Sequence, residues 1–202
     1  MTIDVQYHEQ WQAMHDRFSR ETDKLGCGID AGILDTVIVL NLLKIPTVMS
    51  CEGHLSSASG APWVDIEDPE AKQQTDHIGL LFKEAQTAYV QGQPSQELFH
   101  RAHEARIEAL AKHLALRERL LTYLTTFYEQ RQVPYDVRLV LQARSAGRTR
   151  LESQGATLQE VASSEHRQAK LHEYQAEMHE FTAFLKQVYL QEGVCETGRN
   201  GH

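Results

Sequence analysis

The stretch that predicts the first strand of the protein and the loop after it is residues 47–54, Thr47-Val48-Met49-Ser50-Cys51-Glu52-Gly53-His54. Pro46 ends the preceding helical segment, the β-branched residues favour a strand, and Gly53 favours a turn. The loop brings a thiol, a carboxylate and an imidazole close together in the sequence. Because side chains on a loop beside a rigid strand are well placed for function, we expect the site of the protein here.

Two helices are predicted before this strand. In the first, aromatic and apolar residues recur at steps of four, three and four along Tyr7, Trp11, Met14 and Phe18. The second begins after Asp30, a residue type that suits the N-cap position. It is apolar on nearly all sides, so we expect it to be buried on most faces.

The remaining strands are predicted in neighbouring pairs. Residues 63–67 alternate with Trp63, Asp65 and Glu67 on one face, and residues 137–142 and 148–153 read as a hairpin. Helices are predicted after Pro69, from Ser95 to about Gln132, and from a capping box that starts at Thr157 to about Gln191, with an interruption at Ser163-Ser164 left open. The element order α-α-β-β-α-α-β-β-α indicates an α+β fold with a small mixed four-stranded sheet and about five helices. We expect one domain over residues 1–192 and a flexible tail over residues 193–202.

Composition limits the classes of function. The 202 residues carry a formal net charge of −8, which argues against a broad surface for nucleic acid. No apolar run is long enough to span a bilayer, and the N-terminus lacks a signal peptide pattern. The three cysteines, Cys27, Cys51 and Cys195, do not make a disulfide framework, so a cytoplasmic location is the default expectation.

The loop allows three interpretations. Cys51 and His54 have the spacing of two ligands on a tight turn, which predicts a divalent metal ion as a cofactor. Alternatively, His54 is a catalytic acid or base, with Glu52 as its partner and Asp65 as a second carboxylate. In an extended chain Cys51 points away from Glu52 and His54, which separates the thiol from the imidazole. The third interpretation is a buried cysteine beside a solvated glutamate and histidine, with no site.

Arginines are concentrated in the predicted hairpin, at positions 138, 144, 148 and 150. Like charges around one turn repel unless an anion or acid lies near, so we expect Arg138, Arg148 and Arg150 to bind a small anionic ligand. A solvated sheet edge that discourages aggregation is the alternative. Three further residues are expected to line the same site: Ser50, Gly53 and Trp63.

Part of the chain resembles a group of uncharacterised bacterial proteins, through Gly28-Ile29-Asp30-x-Gly32-Ile33, Leu40-Asn41, Ile45-Pro46-Thr47, Ser50-Cys51-Glu52-Gly53-His54 and Pro62-Trp63-Val64-Asp65. That resemblance implies no activity. A more distant one is to the tRNA wybutosine-synthesising methyltransferase family, whose Ser-Cys-Ser-Gly-Arg loop is similar to residues 50–54. Asp30, Ile33, Asn41 and Thr47 match further positions of that family, whereas Glu52 and His54 replace its serine and arginine. The resemblance implies a helix–strand–loop frame with Ser50, Cys51 and Gly53 at its working end.

These patterns favour a small-molecule or nucleotide-like anionic ligand that binds at the 50–54 loop, and they leave open whether the protein is an enzyme that transforms it. One alternative is a non-catalytic protein that dimerises through the helices at 95–131 and 165–191. The second resemblance adds an RNA-modifying enzyme as another alternative.

Overall fold

The computed structural model describes residues 3–23, 25–55, 60–145, 147–157 and 162–199. The secondary-structure elements, in chain order, are α1 (Ile3–Phe18), α2 (Ala31–Leu42), β1 (Thr47–Cys51), β2 (Trp63–Glu67), α3 (Ala71–Val90), α4 (Gln96–Tyr128), β3 (Leu139–Ser145), β4 (Arg148–Ser153) and α5 (Ser164–Arg199). The predicted α+β class and the predicted order of elements are confirmed. Within the described ranges, no helix combines the length and the apolar character that a bilayer crossing requires.

The four strands form one sheet in the order β1-β2-β4-β3, and every neighbouring pair is antiparallel. The prediction of a mixed sheet is therefore wrong. β4 folds back from β3 and lies between β3 and β2, so the strands that share a direction, β1 with β4 and β2 with β3, are not neighbours. β1 lies at an edge of the sheet, so no strand of the described residues pairs with the other side of its backbone.

The two faces of the sheet differ in chemistry. Val64, Ile66 and Leu151 lie on the inner face and pack in the main apolar core with α2, α4 and α5. The opposite face carries one aromatic ring and five charged side chains, namely Trp63, Asp65, Glu67, Arg148, Arg150 and Glu152. This alternation follows from the period of two along a strand.

α2 and α5 form much of the core. Ile33 and Leu40 of α2 have no exposed surface, and Thr36 forms a hydrogen bond with Thr182 of α5 at 2.7 Å. The apolar stripe of α5, which includes Phe181 and Leu185, is buried inside the chain's own core. That stripe therefore packs within one chain and is not exposed for contact with a second copy.

α5 continues beyond its expected end near Gln191 and passes through Gly193 to Arg199. A single glycine costs a helix only about 1 kcal/mol relative to alanine, so it does not by itself end a long helix. Residues 200–202 of the expected tail lie outside the described residues.

Candidate functional site

The beginning of α2 and the end of β1 meet at Asp30. Asp30 is the residue before α2, and its Oδ2 accepts a hydrogen bond from the backbone N–H of Glu52 at 3.0 Å. The same oxygen lies 3.3 Å from Nε2 of His54. A short turn joins α2 to β1, so the strand runs back along the helix. The end of β1 therefore lies beside the start of α2.

Gly53 brings His54 back toward Cys51. β1 ends at Cys51, and Gly53 then adopts a φ of +85°, a left-handed conformation that glycine tolerates best. One ligand atom from each of Asp30, Cys51 and His54 lies within 4.8 Å of the other two. The prediction that strand alternation separates Cys51 from His54 is therefore wrong, because the extended backbone does not continue past Cys51.

Glu52 points in the other direction, toward α2. Its Oε2 accepts a hydrogen bond from the backbone N–H of Gly32 at 2.7 Å, so it caps the N-terminus of the helix. Asp30 occupies the N-cap position but makes no side-chain cap hydrogen bond. The roles expected from the sequence are thus exchanged: Glu52 caps the helix, and Asp30 is the carboxylate partner of His54.

α5 supports the loop from behind. Gln175 donates a hydrogen bond from Nε2 to the backbone oxygen of Glu52 at 3.1 Å, and Nε2 of His179 lies 3.0 Å from the backbone oxygen of Gly32. Leu171 is so close to Gly53 that a Cβ there would lie 2.9 Å from Leu171 Cδ1. Sequence reasoning missed these contacts, because no local pattern reports which residues of a distant helix reach a loop.

The electrostatics of the cluster hold the Cys51 thiol in its protonated form. Burial raises the pKa of Cys51, and the nearby carboxylates of Asp30 and Glu52 raise it further, although the backbone N–H of Gly53 opposes them. A thiolate nucleophile requires the reverse environment. A bound cation would favour the thiolate, so this donor set fits a metal better than it fits cysteine nucleophilic catalysis.

The cluster is partly open to solvent. The side chain of His54 is 43 % exposed and that of Asp30 is 34 % exposed. Thiolate, imidazole and carboxylate together are a donor set that zinc accepts, and three protein ligands leave a fourth position for water or substrate.

Asp65 and Trp63 both contact the guanidinium group of Arg150. Both carboxylate oxygens of Asp65 accept hydrogen bonds from the Arg150 guanidinium, at 2.7 and 3.0 Å, and that guanidinium lies 3.6 Å from the centre of the Trp63 ring. The Asp65 side chain is only 3 % exposed. Asp65, the second carboxylate that the sequence predicts for the site, thus forms an ion pair with Arg150 on the polar face of the sheet.

The other arginines also have separate partners. Arg148 binds Glu67 through two nitrogens, at 2.6 and 3.0 Å. Arg138 lies over the ring of Tyr128 at 4.3 Å, beside the C-terminal end of α4. The guanidinium groups of Arg138, Arg148 and Arg150 therefore pair with three different groups and do not surround a common anion.

Comparison of the chain with known protein families, with curated proteins and with solved structures finds no match. The two resemblances of the 50–54 loop stay predictions.

Proposed function

We propose that this protein is a metal-dependent enzyme that acts on a small ligand. It would bind a divalent metal ion such as Zn²⁺ through Asp30, Cys51 and His54. The observation that supports the proposal is the convergence of three chemically different ligand atoms within 4.8 Å. The ion would act as a Lewis acid toward an anionic or carbonyl oxygen of the ligand.

The surrounding residues suit this role. Glu52 and Gln175 hold the backbone of the loop, so Cys51 and His54 are presented on a braced turn. The hydrogen bond from the Glu52 N–H orients the Asp30 carboxylate, as partners outside the ligand set do in metal sites. Since Arg148 and Arg150 are already paired with Glu67 and Asp65, the ion itself would attract the oxygen of the ligand.

The test is metal binding by chelator-treated, full-length protein. We expect one Zn²⁺ per chain, and a sulfur-to-metal charge-transfer band when Co²⁺ replaces it. Removal of a ligand in Cys51→Ser, Asp30→Asn or His54→Ala should weaken zinc binding by about 100-fold or more, at least as much as the loss of an outer-shell partner. Zinc binding should also strengthen as pH rises, because the raised pKa of Cys51 opposes loss of its proton.

Two variants serve as matched controls. Cys27→Ser removes an exposed cysteine, and His100→Ala removes an exposed histidine that pairs with Glu104 on α4. Both should bind zinc as the parent does. A parent protein that binds no stoichiometric metal, or ligand variants that bind as tightly as these controls, would contradict the proposal.

A further inference from the structure

A cleft of about 190 Å³ lies between the free edge of β1 and the connection from α1 to α2. Phe18, Ile29 and Val37 provide apolar lining, and Thr22 and Ser50 provide hydroxyl groups. None of these residues belongs to the Asp30–Cys51–His54 cluster.

One end of the cleft lies at residues that neighbour the proposed ligands in the sequence. Ile29 and Ser50 line the cleft, and each is the residue immediately before a proposed ligand, Asp30 or Cys51. Thr47 lies three residues before Ser50, a distance of about 10 Å along a strand. The cleft therefore extends along β1 from Thr47 to the residues that precede Asp30 and Cys51, and the three proposed ligands themselves lie outside its lining.

The charges in the cleft are already compensated. Glu21 accepts a hydrogen bond from Arg17 at 2.9 Å. Asp23 accepts hydrogen bonds from the backbone N–H groups of Leu25 and Cys27, at 2.8 and 2.9 Å. Within the described part of the chain, no basic residue lines the cleft. An uncharged group fits such a lining, because a charged one would lose its hydration without a free partner.

The size of the cleft restricts its occupant further. Pockets for drug-sized ligands usually have volumes of about 300–1,000 Å³. A cleft of about 190 Å³ is smaller than these and matches a single ring with few substituents. A peptide segment or a nucleic acid strand would need more room.

We infer that this cleft is the specificity subsite of the metal centre, and that it binds an uncharged, ring-sized group of a ligand whose oxygen-bearing end reaches the ion. The inference rests on the proposed function and names the class of ligand: a small amphipathic molecule with a compact apolar ring and an anionic or carbonyl head. The lining of the cleft would select the ring of the ligand, and the ion would select its oxygen-bearing group.

The test compares two metal-binding compounds on the zinc-loaded, full-length protein. Acetohydroxamate carries the metal-binding head alone, and benzohydroxamate carries the same head with a phenyl ring. We expect benzohydroxamate to bind about tenfold more tightly or better, since burial of half an aromatic ring changes a Kd by that much.

Variants that fill the cleft test whether the phenyl ring of benzohydroxamate binds there. A Cβ on Gly28 would meet only the backbone oxygen of Glu21, at 3.9 Å, so Gly28→Leu can be accommodated. Thr22→Tyr fills the cleft from a different, exposed residue. Both should abolish the preference for benzohydroxamate and leave zinc stoichiometry and acetohydroxamate affinity unchanged. Gly79→Leu, where nothing lies within 4 Å of a Cβ on α3, is the matched control and should keep the preference.

The outcomes separate the two proposals. If zinc binds but the preference is missing in the parent, or survives in Gly28→Leu and Thr22→Tyr, the subsite is wrong and the metal site stands. If zinc does not bind, the proposed function fails, and the subsite fails with it.

Discussion

A methyl group on Gly53 would lie 2.8 Å from the carbonyl carbon of Ala61, 2.8 Å from the nitrogen of Pro62 and 2.9 Å from Leu171 Cδ1. Two of these atoms belong to the backbone and cannot move aside cheaply. The positive φ of Gly53 adds a second restriction, because a side chain there would be strained. One residue without a side chain thus determines how closely the loop packs and where His54 lies.

At the residue scale, Gly53→Ala should lower the free energy of unfolding by about 2–4 kcal/mol, combining the cost of a left-handed conformation with that of overpacking. Chemical denaturation measures the loss, and zinc binding should weaken in the same variant. Gly79→Ala is the control: Gly79 is helical with open space around it, so alanine should stabilise the protein by up to about 1 kcal/mol. Equal stability of Gly53→Ala and the parent would contradict this account.

Residue patterns predicted part of the geometry of the candidate site. They identified the 50–54 loop, because a β-branched run that ends at a glycine is a local signal. They assigned Asp30 to a helix cap, because aspartate commonly has that role and the competing Glu52 carboxylate is 22 residues away. They could not assign Asp65 to Arg150, since this pair depends on the register between strands 85 residues apart.

At the element scale, α2 obtains its cap from the neighbouring loop. The Oε2 of Glu52 accepts from the backbone N–H of Gly32, and a Cβ at Gly32 would lie 2.7 Å from that oxygen. The Glu52 side chain can rotate away from such a methyl group, but only by giving up the hydrogen bond. The helix start and the loop are therefore coupled through a single carboxylate.

This coupling predicts a change of sign in a double-mutant cycle. Glu52→Ala should cost about 1 kcal/mol of stability, the usual value of a helix cap. Gly32→Ala should be destabilising in the parent, because it displaces the cap. In the Glu52→Ala background it should be stabilising by roughly 0.5–1 kcal/mol, because alanine is then simply a better helix former than glycine. Thermal or chemical denaturation of the four proteins measures the cycle, and additive effects would contradict the coupling.

The order and class of the elements were predictable, whereas their pairing was only partly so. Apolar patterns located the five helices of the described residues, and a β-branched run, alternation and a turn located the strands, because these signals are local. The position of β4 between β2 and β3 depends on contacts across the long helical segment of α3 and α4, which periodicity does not report. The end of α5 was misplaced because one glycine was weighed as a stop signal.

At the scale of the whole molecule, α3 and the first half of α4 form a helical hairpin outside the main core. The buried apolar residues of this part of the chain are Leu81, Ala85, Ala88 and Ala102, and most of them have small side chains. In the described part of the chain, the three apolar clusters of the core contain no residue of α3. Small side chains bury little apolar area, so the hairpin gains less stability than the core does.

Native-state hydrogen exchange should therefore show two levels of protection. We expect the amides of α3 to exchange faster than those of residues 174–185 of α5, which pack in the core. Ala85→Leu should accelerate exchange in α3 and in the first half of α4 without accelerating it in α5, because the added volume wedges the hairpin apart. Equal protection of α3 and α5 in the parent would show that the hairpin unfolds only with the whole molecule.

The brace that Gln175 and Leu171 of α5 place behind the 50–54 loop has a consequence for the timing of synthesis. Gln175 follows Glu52 by 123 residues. At translation rates of about 5–20 residues per second, the ribosome adds Gln175 roughly 6–25 s after Glu52. During that interval the nascent chain already contains Asp30, Cys51 and His54 but lacks the helix that holds their loop. The 50–54 loop is therefore synthesised seconds before the residues of α5 that hold it in the folded protein.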